Sequence, residues 1–311
     1  MTKNGRRLRW GSPSDLLAWD NDGRPSVAML STVCLVLSLL NAATVAAIYM
    51  TSIACVLILL IGLPHGMFDL LKLRELANAG HRSLPAWLLA YCSIAGAVWL
   101  IWQAAPLSSL SVFIIVAMFH FSEDWTADMS RLGACAMSIS MIALPVLFYP
   151  VEISALFVLI GGANGDQVAD YLILVAPVFS LVAVANVVID FGSKKAARGW
   201  CNAALLLAAL ILPPGVGFAV YFCLYHSSIH FSEGRKTLLD SEFQFGRFFL
   251  AMSAASAAVV MFVFLAQPFE SIDSKLIATT FQTLSILTVP HILLSIFTAN
   301  RVGSLSKLNI E

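Results

Sequence analysis

Apolar residues in this chain fall into long blocks parted by brief polar breaks, from about residue 27 to residue 299. A helix needs about 20 mostly apolar residues to cross a bilayer. On that measure the blocks predict ten spans, at about 27–49, 51–70, 84–103, 107–124, 132–149, 166–190, 199–213, 215–232, 246–267 and 276–299. The second, fourth, seventh and eighth have short apolar cores, and EISALFVLIGGA at 152–163 reads as an interfacial half-helix. Short or Pro- and Gly-interrupted spans tend to lie at binding sites, because irregular backbone is tolerated there only against protein or a cavity. The expected fold class is all-α: a polytopic integral membrane helix bundle, with a single membrane domain over 27–299 between polar tails at 1–26 and 300–311.

Composition narrows the class further. Hydrophobic residues make up 59% of the chain and charged ones 12%, against roughly 45–50% and 25% in soluble domains. That excludes an independent soluble domain. The run after the basic N-terminal tail is longer than the apolar core of a signal peptide, about 7–15 residues, so it reads as a retained first span. Lys and Arg are held on the cytoplasmic side of short loops. With the N-terminus inside, ten spans leave only Lys275 outside among 18 basic residues, which predicts cytoplasmic N- and C-termini and a cell inner (cytoplasmic) membrane location. This topology explains the basic residues without nucleic acid. The six cysteines are scattered singly with no CxxC, which argues against a disulfide framework or zinc ribbon and for small core residues.

Ionisable groups inside spans are costly and point to function. His65 lies in GLPHGMFD at the inner end of span two, His120 in MFHFSED at the inner end of span four, and His226 and His230 in YHSSIHFSEG at the inner end of span eight. His291, in TVPHILLS, falls about two turns deeper, and His81 sits in the polar loop AGHRS. A lone interfacial His is usually a hydrogen-bonded packing residue. Four from three helices at one depth suggest a metal site, because neutral imidazole is the usual ligand of iron, zinc and copper. His226 and His230, four apart, project from one helix face and can share an ion.

Carboxylates follow each His at helix-face spacing: Asp69 after His65, Glu123 and Asp124 after His120, and Glu233 after His230. They read as groups that accept the second ring N–H of a ligand and fix its tautomer, or as acids solvated at the membrane edge. His291 reads as an additional ligand or a pocket residue. Phe119, Tyr221 and Tyr225 are candidates to line a channel for a flat apolar substrate, although an interfacial aromatic belt gives the same pattern. No phosphate-binding loop is present.

GLPHGMFD, FHFSED, FCLYHSSIH and VPHILL, in that order on a membrane protein of this size, resemble the Brp/Blh family of β-carotene 15,15′-dioxygenases over roughly residues 50–300. The resemblance implies a non-haem Fe(II) enzyme that splits β-carotene at its central double bond with O₂, giving two all-trans-retinal. It implies His65, His120, His226 and His230 as the iron ligands, no further catalytic side chain, and a retinal-binding rhodopsin as product acceptor. A carotenoid dissolved in the lipid bilayer suits a protein made of spans. The motifs depart from the family's at Leu70 (often His), Ser122 (Gly), Tyr225 (Trp) and Ile229 (Arg), residues beside the ligands that shape the cavity. A different carotenoid or apocarotenoid substrate, a di-iron desaturase, a bis-His haem protein and a His-relay transporter remain the alternatives. The desaturase needs about eight or more His, more than the six here, and a transporter site prefers the bilayer midplane.

Overall fold

The structure, a computed structural model, describes residues 24–42, 47–80, 82–193, 195–239 and 245–308; His81, Lys194 and nearly all of the N-terminal tail lie outside the described residues, as does the side chain of His65. Among the described residues the regular structure is helical and no β-strand occurs. The expectation of an all-α fold therefore holds.

The expectation of ten spans is met in part. Among the described residues, six helices are long and apolar enough to cross a membrane, or seven if one sharply bent pair counts as a single span. They are Tyr49–Ala79, Leu84–Ala104, Pro106–Thr126, Asp166–Phe191, Gly246–Ala266 and Ile272–Thr298. Helices occupy the remaining predicted positions but are shorter. Helix α1 covers Val27–Ala42 of the described residues; α9 (Ala196–Ile211) has 16 residues, about 24 Å at 1.5 Å per residue against a hydrocarbon core of about 30 Å. The predicted eighth span is broken into α10 (Pro214–Ala219), a π-helical segment (Val220–His226) and α11 (Ser227–Leu239). Helix α6 (Arg131–Ala143) runs on to Leu147 and then meets α7 (Pro150–Gly161) at 107°, so the short apolar stretch near 152–163 is a helix of its own.

Proline sets several of these starts. Pro85, Pro106, Pro150 and Pro214 sit in the first turn of their helices, where the missing N–H is an orphan in any case. Ser130 caps α6 by accepting from the Gly133 N–H at 3.2 Å. Gly162 ends α7 at φ 85°, a conformation that costs glycine little.

Large aliphatic side chains cover much of the outside, as with Leu89, Leu174, Leu181 and Leu250. Polar pairs are turned inward: Trp102 Nε1 donates to Ser285 Oγ at 2.9 Å and Trp125 Nε1 to Asn202 Oδ1 at 2.9 Å. This inverts the soluble pattern and matches lipid as solvent. Cys34, Cys55, Cys201 and Cys223 are buried as expected, whereas Cys92 is exposed on α4 (Leu84–Ala104).

Two irregular stretches pack together at the heart of the fold. Helix α2 (Ala47–Leu57) continues through a π-helical turn (Ile58–Gly62) and a 3₁₀ segment (Leu63–Phe68) into α3 (Asp69–Ala79). Gly62 abuts the Val220–His226 π segment so closely that a Cβ there would lie 2.4 Å from the Phe222 ring. Ser227 Oγ donates to the Gly62 carbonyl at 3.1 Å. Single π turns inside α-helices are frequent at functional sites, and both of these adjoin a His motif.

Candidate metal centre

Four imidazoles from three helical elements meet inside the bundle. His120 projects from α5 (Pro106–Thr126), His226 ends the π segment, His230 follows one turn later in α11, and His291 lies after Pro290 in α13 (Ile272–Leu308). The His226 and His230 ring centroids are 4.6 Å apart, and His120 lies 5.1 Å from His226, 5.9 Å from His230 and 5.2 Å from His291. His120 is 5% exposed, His226 0% and His291 9%. His291 is thus about as near to His120 as His226 is.

The carboxylates are shared out differently from their spacing. Asp124, fully buried, does not serve His120: its Oδ1 and Oδ2 lie 3.0 and 3.1 Å from His226 Nδ1, and Oδ1 lies 3.3 Å from His230 Nε2. Asp69 pairs with His291, whose Nδ1 is 2.8 and 2.9 Å from the two Asp69 oxygens. Each carboxylate takes a further donor: Tyr221 Oη donates to Asp124 Oδ2 at 2.7 Å and Tyr91 Oη to Asp69 Oδ2 at 2.9 Å. Glu123 and Glu233 lie at their expected partners, 3.5 Å from His120 Nδ1 and 3.7 Å from His230 Nδ1, with both side chains more than half exposed.

The residues fit a metal ion. His120, His226 and His230 each offer a ring nitrogen, and the three atoms lie within 4.8 Å of one another. Ligand nitrogens about 2.1 Å from one ion stand about 3.0 Å apart when cis and about 4.2 Å when trans, so a small inward movement closes the site. A largely buried, all-imidazole set backed by carboxylates suits iron, zinc, copper or nickel.

Beside the cluster opens an apolar cavity of about 570 Å³, lined by His120, His226, His291, Phe121, Phe222, Leu70 and residues of α3, α4, α13 and α12 (Phe245–Ala266). That is within the usual range of about 300–1,000 Å³ for small-molecule sites. Several lining residues are exposed on the outer surface: Leu88, Cys92 and Gly96 of α4, and Ala255 and Phe262 of α12. The cavity therefore reaches the surface between α4 and α12, where Trp99 and Phe262 pack with centroids 5.2 Å apart. A second cavity of about 70 Å³ lies on the other side of Phe121, which lines both.

The aromatic candidates lie elsewhere. Phe119 is 68% exposed on the outer face of α5, Tyr221 is engaged with Asp124, and Tyr225 is buried with its ring stacked on Trp125 at 5.3 Å; none lines the large cavity. Of the motif departures, Leu70 lines the cavity, while Ser122, Tyr225 and Ile229 are buried away from it. Tyr91 and the small residues of α4 and α12 carried no mark in the sequence, because an apolar run shows neither which face is inward nor which tyrosine meets an acid.

A helical bundle whose buried imidazole cluster forms the wall of an apolar cavity defines a candidate metalloenzyme for a lipophilic substrate. The comparisons agree. A sequence model of the beta-carotene 15,15′-dioxygenase family matches residues 56–297, and the chain belongs to that family. A relative from Uncultured marine bacterium 66A03, named beta-carotene 15,15′-dioxygenase, is 28% identical over 254 residues, covering 78% of this chain and 91% of the relative. No solved structure matches the chain.

Proposed function

We propose that this protein is an Fe(II)-dependent membrane dioxygenase that cleaves β-carotene at its central 15,15′ double bond with O₂, yielding two all-trans-retinal. The observation that carries the reading is the buried imidazole cluster set in the wall of an apolar cavity that reaches the surface, in a chain of the β-carotene 15,15′-dioxygenase family.

His65, His120, His226 and His230 would hold the metal. Fe(II) bound there supplies a site for O₂ activation beside the substrate alkene. The protein's own part is positional. The apolar walls hold the polyene and exclude water, and Phe121 and Phe222, which line the cavity beside His226, restrict the chain to a pose with one double bond at the cluster. One double bond and one O₂ become two carbonyls, so the oxygen atoms balance without a protein acid or base. Asp124 keeps His226 in its Nδ1–H tautomer, which leaves Nε2 for a metal.

The ten-span topology with cytoplasmic termini, and the domain at 27–299 between cytoplasmic tails, are part of the proposal. The bias of basic residues supports them. Retinal would leave into the lipid of the inner membrane, where a retinal-binding rhodopsin would receive it.

Expression in a β-carotene-accumulating bacterium tests this directly. Cells bleach and accumulate retinal, the His226→Ala variant abolishes both, and with ¹⁸O₂ the purified enzyme places label in both aldehydes. Intact pigment despite good expression and iron loading would sink the β-carotene assignment.

A further inference from the structure

Two Tyr–Asp–His units, built from different helices, converge on His120. In one, Tyr221 Oη donates to Asp124 at 2.7 Å and Asp124 holds His226 Nδ1 at 3.0 Å. In the other, Tyr91 Oη donates to Asp69 at 2.9 Å and Asp69 holds His291 Nδ1 at 2.8 Å. The resemblance extends to orientation. His226 and His291 both stand edge-on to the His120 ring, at 81° and 74°, with centroids 5.1 and 5.2 Å away. Both line the cavity with His120.

We propose that His291 is a metal ligand, set in place by Asp69 and Tyr91 as His226 is set by Asp124 and Tyr221. The inference rests on the metal reading above and extends its ligand set to a further helix, α13. A carboxylate that accepts the Nδ1 proton fixes the tautomer, turns Nε2 away from itself and makes that nitrogen a better donor. The Tyr hydroxyl in turn occupies one carboxylate oxygen, leaving the acid one orientation. A purely structural Asp–His pair needs neither the edge-on approach to a second imidazole nor a place on the cavity wall. The two units differ in one respect: Lys72 Nζ lies 4.0 Å from Asp69, whereas Asp124 has His230 at 3.3 Å. Asp69 and Tyr91 are therefore positioning residues of the same kind as Asp124 and Tyr221, joining α3, α4 and α13 behind the metal.

Metal binding, measured apart from turnover, is the test. Full-length wild type, Asp69→Asn, Asp124→Asn, Tyr91→Phe and His291→Gln are purified metal-free and titrated with Fe(II) against a competing chelator. Each is also loaded with Co(II), whose visible spectrum reports the ligand set. Asp69→Asn and Asp124→Asn are each expected to weaken metal binding about 10–100-fold, Tyr91→Phe less, and His291→Gln is expected to change the Co(II) spectrum. Asp69→Glu restores part of the affinity, which separates positioning from a folding defect read by thermal melting. Wild-type affinity and spectrum in both His291→Gln and Asp69→Asn, with cleavage lost, would overturn the proposal and make His291 a pocket residue. A wild type that binds no metal would overturn it together with the metal reading, whereas metal binding without β-carotene cleavage would leave His291's role to the variants.

Discussion

Asp124 holds three partners from one turn of α5, and its surroundings explain why it can stay buried. An unpaired carboxylate in apolar protein would be very costly, and one with partners at Tyr221, His226 and His230 is compensated. A hydrogen bond to a charged group contributes about 1.5–3 kcal/mol, so Tyr221→Phe is expected to lower the melting temperature and weaken metal binding severalfold without altering the fold. Unchanged melting and metal affinity would remove Tyr221 from the site. The histidines and acids were legible as residues, because an imidazole or carboxylate stands out in an apolar run. Their pairing was legible only in part: Glu123 and Glu233 lie at the predicted His120 and His230, whereas Asp124 and Asp69 do not follow their spacing. A 3₁₀ segment at Leu63–Phe68 precedes Asp69, whose partner His291 lies 222 positions away, a pairing that helix-face spacing cannot show.

Between residue and fold stand the two π-helical turns. Hydrophobic blocks predict that residues 51–70 and 215–232 are helical but not how they are wound, since the same apolar residues satisfy either ladder. Both stretches have the short apolar cores that mark interrupted spans, but nothing in them specifies a π turn. The contact between the two turns is close enough to be a test. Gly62→Leu places a side chain where a Cβ alone would be 2.4 Å from Phe222, while a Cβ at Gly66 meets nothing within 4 Å. Overpacking typically costs about 1–3 kcal/mol. Thermal melting is expected to show Gly62→Leu destabilised by that order and Gly66→Ala close to wild type, and equal melting of the two would show that the π turns do not depend on this approach.

For the whole molecule, the greasy exterior was legible throughout and the helix lengths were legible only in part. An apolar run does not show where its helix ends or bends, as with α9 at 16 residues and α7, which meets the preceding helix at 107°. The cavity was likewise hidden, because its mouth is made of residues as apolar as the lipid-facing ones beside them. Gly96 is exposed on that mouth and has open space at its Cβ position. Gly96→Phe is expected to raise KM several-fold while iron content and melting stay at wild-type values, and an unchanged KM would mean the substrate enters elsewhere. The mouth also fixes what the enzyme senses. On the proposed membrane reading its substrate would arrive by diffusion in two dimensions, so the quantity that sets the rate would be the number of carotenoid molecules per lipid and not their concentration per litre. Adding empty bilayer to a working preparation would slow it by dilution of a surface.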